Sequence, residues 1–361
     1  MIWAPLGRTL EWKDPDPAID HREVIQIDST CQRNIVGIQP YMLPEDYMSE
    51  GHFYEKMKSY FEAAAQSGYF GERTVVLLPE YLGTWLVVSG EKKGISETSH
   101  INSAMTLMIL SNMSRFAQAW LLNHDEEDVV AATLFRMKAR EMARIYSEVF
   151  TDLASRYHVT INAGSILLPD PVVENNVIRV NPFKPLFNSS FVFYPDGRID
   201  TQVIKKAFPI TSELPFVEAC PVSELPGFDL TIGKTAVLIC ADSWYPEAYS
   251  RIREIGAEII LVSSYAAGDL TMDRAWKGYD GGPMPGDVNA ADIGSIKERD
   301  AWRKYALPGR IQSAGAAVGA NVFLRGKLWD LGSDGQPLFV YNGELIDAGH
   351  SERGGIWNFC F

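Results

Sequence analysis

Short unbroken apolar runs along the chain alternate with longer stretches in which apolar positions recur every three or four residues. The short runs lie at 34–39, 74–78, 159–163, 190–194, 235–239 and 259–263. Continuous apolar runs of that length predict strands buried on both faces of a sheet. Shorter strands are expected at 201–204, 322–325 and 337–341. Residues 52–66 carry helical spacing, with Phe53, Met57, Tyr60, Phe61 and Ala64 on one face and Gly68 at the end. Further helices are predicted over 101–122, 129–157, 247–255 and 301–319, with a polar break at 123–128. Residues 266–300 are rich in Gly, Asp and Pro and read as a long loop. Alternating strands and helices with no dividing linker predict one layered α/β domain over 34–345. Residues 1–33, with Pro5, Pro15 and Pro17, read as an irregular N-terminal arm, and 346–361 as a C-terminal tail.

Composition narrows the class. The chain has 361 residues, of which 46% are hydrophobic, so a large core is possible. A net charge of −13 without a Lys/Arg cluster argues against nucleic acid and against an acidic membrane surface. No apolar run is long enough to span a bilayer, and the N-terminus lacks the apolar stretch of a signal peptide. The four cysteines, Cys31, Cys220, Cys240 and Cys360, show no CxxC spacing. With no leader in view, the expectation is a cytoplasmic protein with reduced thiols. The six histidines are scattered, so neither a metal nor another cofactor is expected.

Three polar residues change the picture. Glu80 follows the run 74–78, Lys206 follows 201–204, and Cys240 follows 235–239. Strand ends are where layered α/β proteins gather functional groups. Cys240 is followed by Ala241-Asp-Ser-Trp-Tyr-Pro-Glu247, whose Pro246 and Glu247 suit the first turn of a helix. A nucleophile at such an elbow is pushed to the rim of the sheet, and the backbone N–H groups after it can face an oxyanion. A thiolate, a carboxylate and an ammonium make an acyl-transfer set, in which the ammonium lowers the thiol pKa and the carboxylate takes the proton. Each residue also has a plainer reading. A buried cysteine at a strand end is ordinarily packing, Pro-Glu a solvated turn, and Lys-Lys surface charge.

Ordered blocks around these residues resemble the nitrilase superfamily of carbon–nitrogen hydrolases. They are Leu77-Leu-Pro-Glu80, then Asn188-Ser-Ser-Phe-Val-Phe-Tyr-Pro-Asp-Gly197 running on to Ile204-Lys-Lys206, and then Cys240-Ala-Asp-Ser-Trp-Tyr-Pro-Glu247. Residues 310–321 and Gly332-Ser-Asp-Gly335 resemble later family segments. The resemblance implies a four-layer-type αββα sandwich that assembles as a homodimer or a higher homo-oligomer. It implies Cys240 as nucleophile, Glu80 as general base and Lys206 as oxyanion stabiliser, with Lys205 as the alternative lysine. The Ala241 N–H would support the oxyanion, and Glu213 would be a second glutamate.

Where the family has Arg-Ala-x-Glu-Asn, this chain has Arg310-Ile-Gln-Ser-Ala314. Ala241-Asp242 after the cysteine, in place of Trp-Glu, favours amides or carbamoyl compounds over nitriles. Nitrile hydrolysis, acyl transfer to an amine, and a non-catalytic binding or scaffold protein stay open. Tyr81, Trp244 and Tyr265 stand beside the candidates and could shape a substrate pocket or simply pack. Two stretches exceed the usual family length, a helical insertion at about 95–135 and a loop insertion at about 266–300. Met105, Met108, Met113, Phe116, Trp120 and Leu121 make the first strongly apolar. It reads as packing on the core or on a partner copy, or as an apolar lid over the site.

Overall fold

The computed structural model describes residues 7, 16–122 and 126–361. The rest of the expected arm and part of the break at 123–128 lie outside the described residues. The chain builds an αββα sandwich from two stacked sheets. The larger sheet has seven strands in the order Ile19–Gln26, Gly354–Cys360, Asn34–Gln39, Thr74–Leu77, Thr160–Pro169, Leu186–Phe193 and Ile204–Lys205. The smaller has six: Gly227–Leu230, Gly233–Ile239, Ile259–Ser264, Val318–Phe323, Leu338–Tyr341 and Glu344–Ile346.

Among the described residues seven helices flank the sheets: α1 (Glu50–Gln66), α2 (Ile101–Ser111), α3 (Met113–Trp120), α4 (Val129–Tyr157), α5 (Pro246–Ile255), α6 (Glu298–Tyr305) and α7 (Leu307–Ala314). The helices α1 and α4 share a core with one face of the larger sheet. The helices α5, α6 and α7 pack with the smaller sheet, and the same core continues between the sheets. Because the central strands are covered on both faces, they read as continuous apolar runs. The sheets come closest at Gly37, where a Cβ would lie 2.9 Å from Val322 and 3.3 Å from Phe339.

Four expectations are corrected. The irregular arm contains the strand Ile19–Gln26, whose alternating exposure marks an edge strand and leaves little apolar signal. The supposed tail contains Gly354–Cys360, which is buried throughout and inserts between Ile19–Gln26 and Asn34–Gln39. Helix 301–319 is two helices, because Ala306 is extended and Pro308 cannot continue the turn. Reduced thiols throughout are also overturned, because Cys31 and Cys360 form a disulfide. Their separation of 329 positions hides a pairing that the inserted strand creates. Cys220 and Cys240 are free.

The helical insertion is confirmed as helical but breaks at Asn112, whose side-chain amide donates to the Met108 carbonyl at 2.9 Å. Its apolar residues divide: Met105 and Met108 face inward, whereas Met113 and Leu121 are 67% and 81% exposed. No helix among the described residues is long and apolar enough to cross a membrane.

Candidate active site

The strands that carry Glu80, Lys206 and Cys240 end at one rim of the sandwich, and beneath that rim the sheets are tied by polar contacts. The Ser263 hydroxyl donates to the Leu78 carbonyl at 2.7 Å, and the Asn162 amide donates to Ser263 at 3.1 Å. The Glu80 turn is seated on a bulge in Thr160–Pro169, where the register shifts between Asn162 and Ser165. Gly164, at φ 71°, occupies the bulge, and a Cβ there would lie 2.1 Å from the Pro79 carbonyl oxygen. The Ser165 hydroxyl then accepts from the Tyr81 N–H at 2.9 Å.

Cys240 and Tyr81 adopt φ values of 48° and 61°. Such values are uncommon without a glycine and cluster at functional sites. Cys240 opens a 3₁₀ turn, Cys240–Trp244, after which Pro246 starts α5. This is the elbow that the sequence predicts. Asp242 locks it: one carboxylate oxygen accepts from the Ala207 and Phe208 N–H groups at 2.9 and 2.8 Å, and the other from Ile239 at 3.2 Å. One side chain therefore joins the cysteine turn to the segment after Lys206.

The three candidates meet in a buried cluster with Glu213. The Lys206 ammonium donates to Glu80 at 2.8 Å and to Glu213 at 2.7 Å. The Asn188 amide donates to both carboxylates at 2.9 Å. Glu213 also accepts from the Ile210 N–H at 2.9 Å and from the Tyr81 hydroxyl. The Cys240 thiol hydrogen-bonds the Tyr265 carbonyl oxygen at 3.6 Å, and the Glu80 charge acts on it electrostatically. Lys205, one residue before Lys206, pairs instead with Asp170 at 2.8 Å, so Lys206 is the lysine in the cluster.

The two carboxylates divide their roles electrostatically. Burial raises both pKa values, and the Lys206 charge opposes it. Glu213, with extra donors from Tyr81 and Ile210, ends below the ordinary carboxylate range. Glu80, beside the negative Glu213, is pushed up to about 7. Environments that drive two acids apart in this way leave one as a fixed charge and the other as a proton carrier near neutrality. Burial pulls the Lys206 pKa down, but Glu213 and Glu80 outweigh it and hold the ammonium charged. Cys240 corrects an expectation: burial, reinforced by Glu80, raises its thiol well above the usual range despite Lys206. The resting group is a protonated thiol beside the Glu80 carboxyl.

Two cavities open at the cluster. One of about 430 Å³ is lined by Cys240, Ala241, Trp244, Trp276 and Trp302. The other, of about 440 Å³, is lined by Glu80, Tyr81, Glu213 and apolar residues of α2 and α4. Tyr265, Ser212 and Ile210 border both. Trp244, Tyr81 and Tyr265 therefore all line cavity walls.

The 266–300 loop closes over the Cys240 side, with the Tyr279 hydroxyl donating to the Trp244 carbonyl at 2.9 Å. Arg310 anchors the loop through Asp287 at 2.7 Å and Tyr279 at 3.0 Å. Sequence reasoning missed the parts played by Asn188 and Asp242, although both stand inside the blocks quoted above. No group of acidic, His or Cys side chains among the described residues could hold a metal ion.

The carbon–nitrogen hydrolase family model matches residues 34–283. No protein of curated function matches the chain. Among solved structures, an amidase from Nesterenkonia sp. superposes with a TM-score of 0.54 at 15% identity, covering 90% of this chain and 88% of that one. A variant of that amidase bearing acrylamide added at its active-site cysteine gives 0.53 at 14%, covering 90% and 91%. Another, in complex with butyramide, gives 0.53 at 14%, covering 90% and 88%. At such identities the likeness speaks for the fold alone.

Proposed function

The chain belongs to the carbon–nitrogen hydrolase family, and from that membership we propose a thiol-dependent amidase in which Cys240 is the nucleophile, Glu80 the general base and acid, and Lys206 the oxyanion stabiliser. The single observation that carries this reading is the buried cluster in which the Lys206 ammonium bridges Glu80 and Glu213, at 2.8 and 2.7 Å, beside the Cys240 thiol.

In the first half-reaction the Glu80 carboxylate takes the thiol proton as sulfur attacks the amide carbon. Negative charge develops on the carbonyl oxygen, where Lys206 and the Ala241 N–H supply compensation in a site shielded from water. Glu80 then returns the proton to the departing nitrogen, and a thioester remains on Cys240. In the second half-reaction Glu80 takes a proton from water, which attacks the thioester, and the acid leaves as the thiol is reprotonated. Glu213 keeps Lys206 charged and in place, and Asn188 and Tyr81 fix the two carboxylates. The named Nesterenkonia amidase, with its active-site cysteine and its butyramide complex, supports amides as the substrate class. Assembly as a homo-oligomer belongs to the same proposal.

Ammonia or amine release from a panel of small amides, with Cys240→Ala as control, tests the proposal. Turnover should fall by roughly 10⁴-fold or more in the variant. A mass shift equal to the acyl group on the peptide carrying Cys240 should appear when the reaction is quenched in acid. Turnover surviving in Cys240→Ala would remove the mechanism.

A further inference from the structure

We infer that the substrate is an amide substituted on nitrogen, with an apolar amine-side group held in the cavity beneath α2. The inference rests on the amidase reading and deepens it.

The two cavities at the cluster are not equivalent. The Cys240 cavity touches the nucleophile and the following N–H, so it receives the acyl half of a substrate whose carbonyl carbon sits at sulfur. The other cavity touches Glu80 but not Cys240. In the cleavage step the carbon–nitrogen bond breaks, the electron pair goes to nitrogen, and Glu80 delivers the proton there. The leaving nitrogen therefore faces Glu80, and any substituent on it points into the second cavity.

That cavity is built for an apolar chain. Its walls include Trp85, Val88, Met105, Met108, Leu134 and Phe135, in a volume of about 440 Å³. A primary amide would release ammonia and leave this space unused. The nearby carboxylates are already engaged, Glu213 with Lys206 and Tyr81, and Glu80 with Lys206 and Asn188. The Asp128 carboxylate caps α4 through the Ala131 N–H at 2.9 Å. Among the described residues that line the cavity no charged group stands free to demand a charged amine substituent, and buried methylenes would be the source of affinity. Met105 and Met108 come from the helical insertion, so the segment that lengthens this chain also shapes the amine side.

The balanced reaction is RCONHR′ plus water giving RCOOH and R′NH₂, through the Cys240 thioester. The test compares propionamide, N-propylpropionamide and N-hexylpropionamide with a mirrored series, butyramide to octanamide, that lengthens the acyl side. On the amine side kcat/KM should rise roughly fourfold for each added methylene. Met105→Trp, which fills the cavity, should cut the ratio of N-hexyl to unsubstituted substrate by tenfold or more. Equal rates for propionamide and N-hexylpropionamide, or a gain that follows only the acyl series, overturns the inference.

Calorimetry on Cys240→Ala separates the two readings. If N-hexylpropionamide binds at least tenfold more tightly than propionamide, and Met105→Trp removes the difference, the cavity assignment stands even without turnover. If binding is equal while the unaltered enzyme hydrolyses propionamide, the assignment falls and the amidase reading survives.

Discussion

The Lys206 ammonium sits between two carboxylates that do not share it evenly, and at the residue scale that asymmetry sets the pH behaviour. In the proposed mechanism Glu80 must be ionised to act as base, and burial places its pKa at about 7. The acid limb of kcat/KM should therefore have its midpoint near pH 7, and Glu80→Gln should lower the rate by roughly 10²–10⁴-fold while abolishing that limb. The same shift bears on stability. Glu80 binds its proton more tightly folded than unfolded, so its contribution is full below about 4.5 and is lost as pH rises through 7. Glu80→Gln should then melt higher than the unaltered protein by a margin that is larger at pH 8 than at pH 4. A margin that does not grow with pH would contradict the buried, raised carboxyl.

At the scale of elements, the site depends on two joints. The first is the bulge at Gly164. Replacing it with alanine places a Cβ against the Pro79 carbonyl at a positive φ, so Gly164→Ala should cost about 1–3 kcal/mol in unfolding experiments. It should also depress kcat more than KM, because Glu80 moves. The second joint is Asp242. Asp242→Ala strips acceptors from one buried and two partly buried N–H groups, an expected loss of roughly 2–5 kcal/mol measured by denaturant. The sequence was legible at both joints only in part. The elbow at Cys240 follows from an apolar run ending before Pro246, and the positive φ agrees with it. The bulge is invisible in Thr160–Pro169, where Gly164 reads as one more small residue in a buried strand. Asn188 was equally hidden, since its partners lie 108 and 25 positions away.

At the scale of the molecule, central strands were readable because burial on both faces makes them continuous apolar runs. The outer strand Ile19–Gln26 was not, because half its side chains face solvent. The strand Gly354–Cys360 was missed because glycines and Asn358 interrupt its pattern, although every residue is buried. The disulfide was missed with it. Mass spectrometry on unreduced, denatured protein should count two reactive thiols, Cys220 and Cys240, and four after reduction. Cys31→Ser should lower stability by roughly 2–4 kcal/mol without removing activity, since the bridge lies away from the catalytic cluster.

The inserted strand also fixes an order of events during synthesis. Asn34–Gln39 pairs with Gly354–Cys360 on one side and Thr74–Leu77 on the other. It leaves the ribosome some three hundred residues before Gly354–Cys360 exists. Until then the nascent larger sheet carries a vacant slot flanked by open strand edges, the kind of surface that invites pairing with another chain. Deleting residues 354–361 should therefore yield aggregates on translation even though the catalytic cluster is untouched, and supplying Gly354–Cys360 as a separate peptide should recover soluble protein.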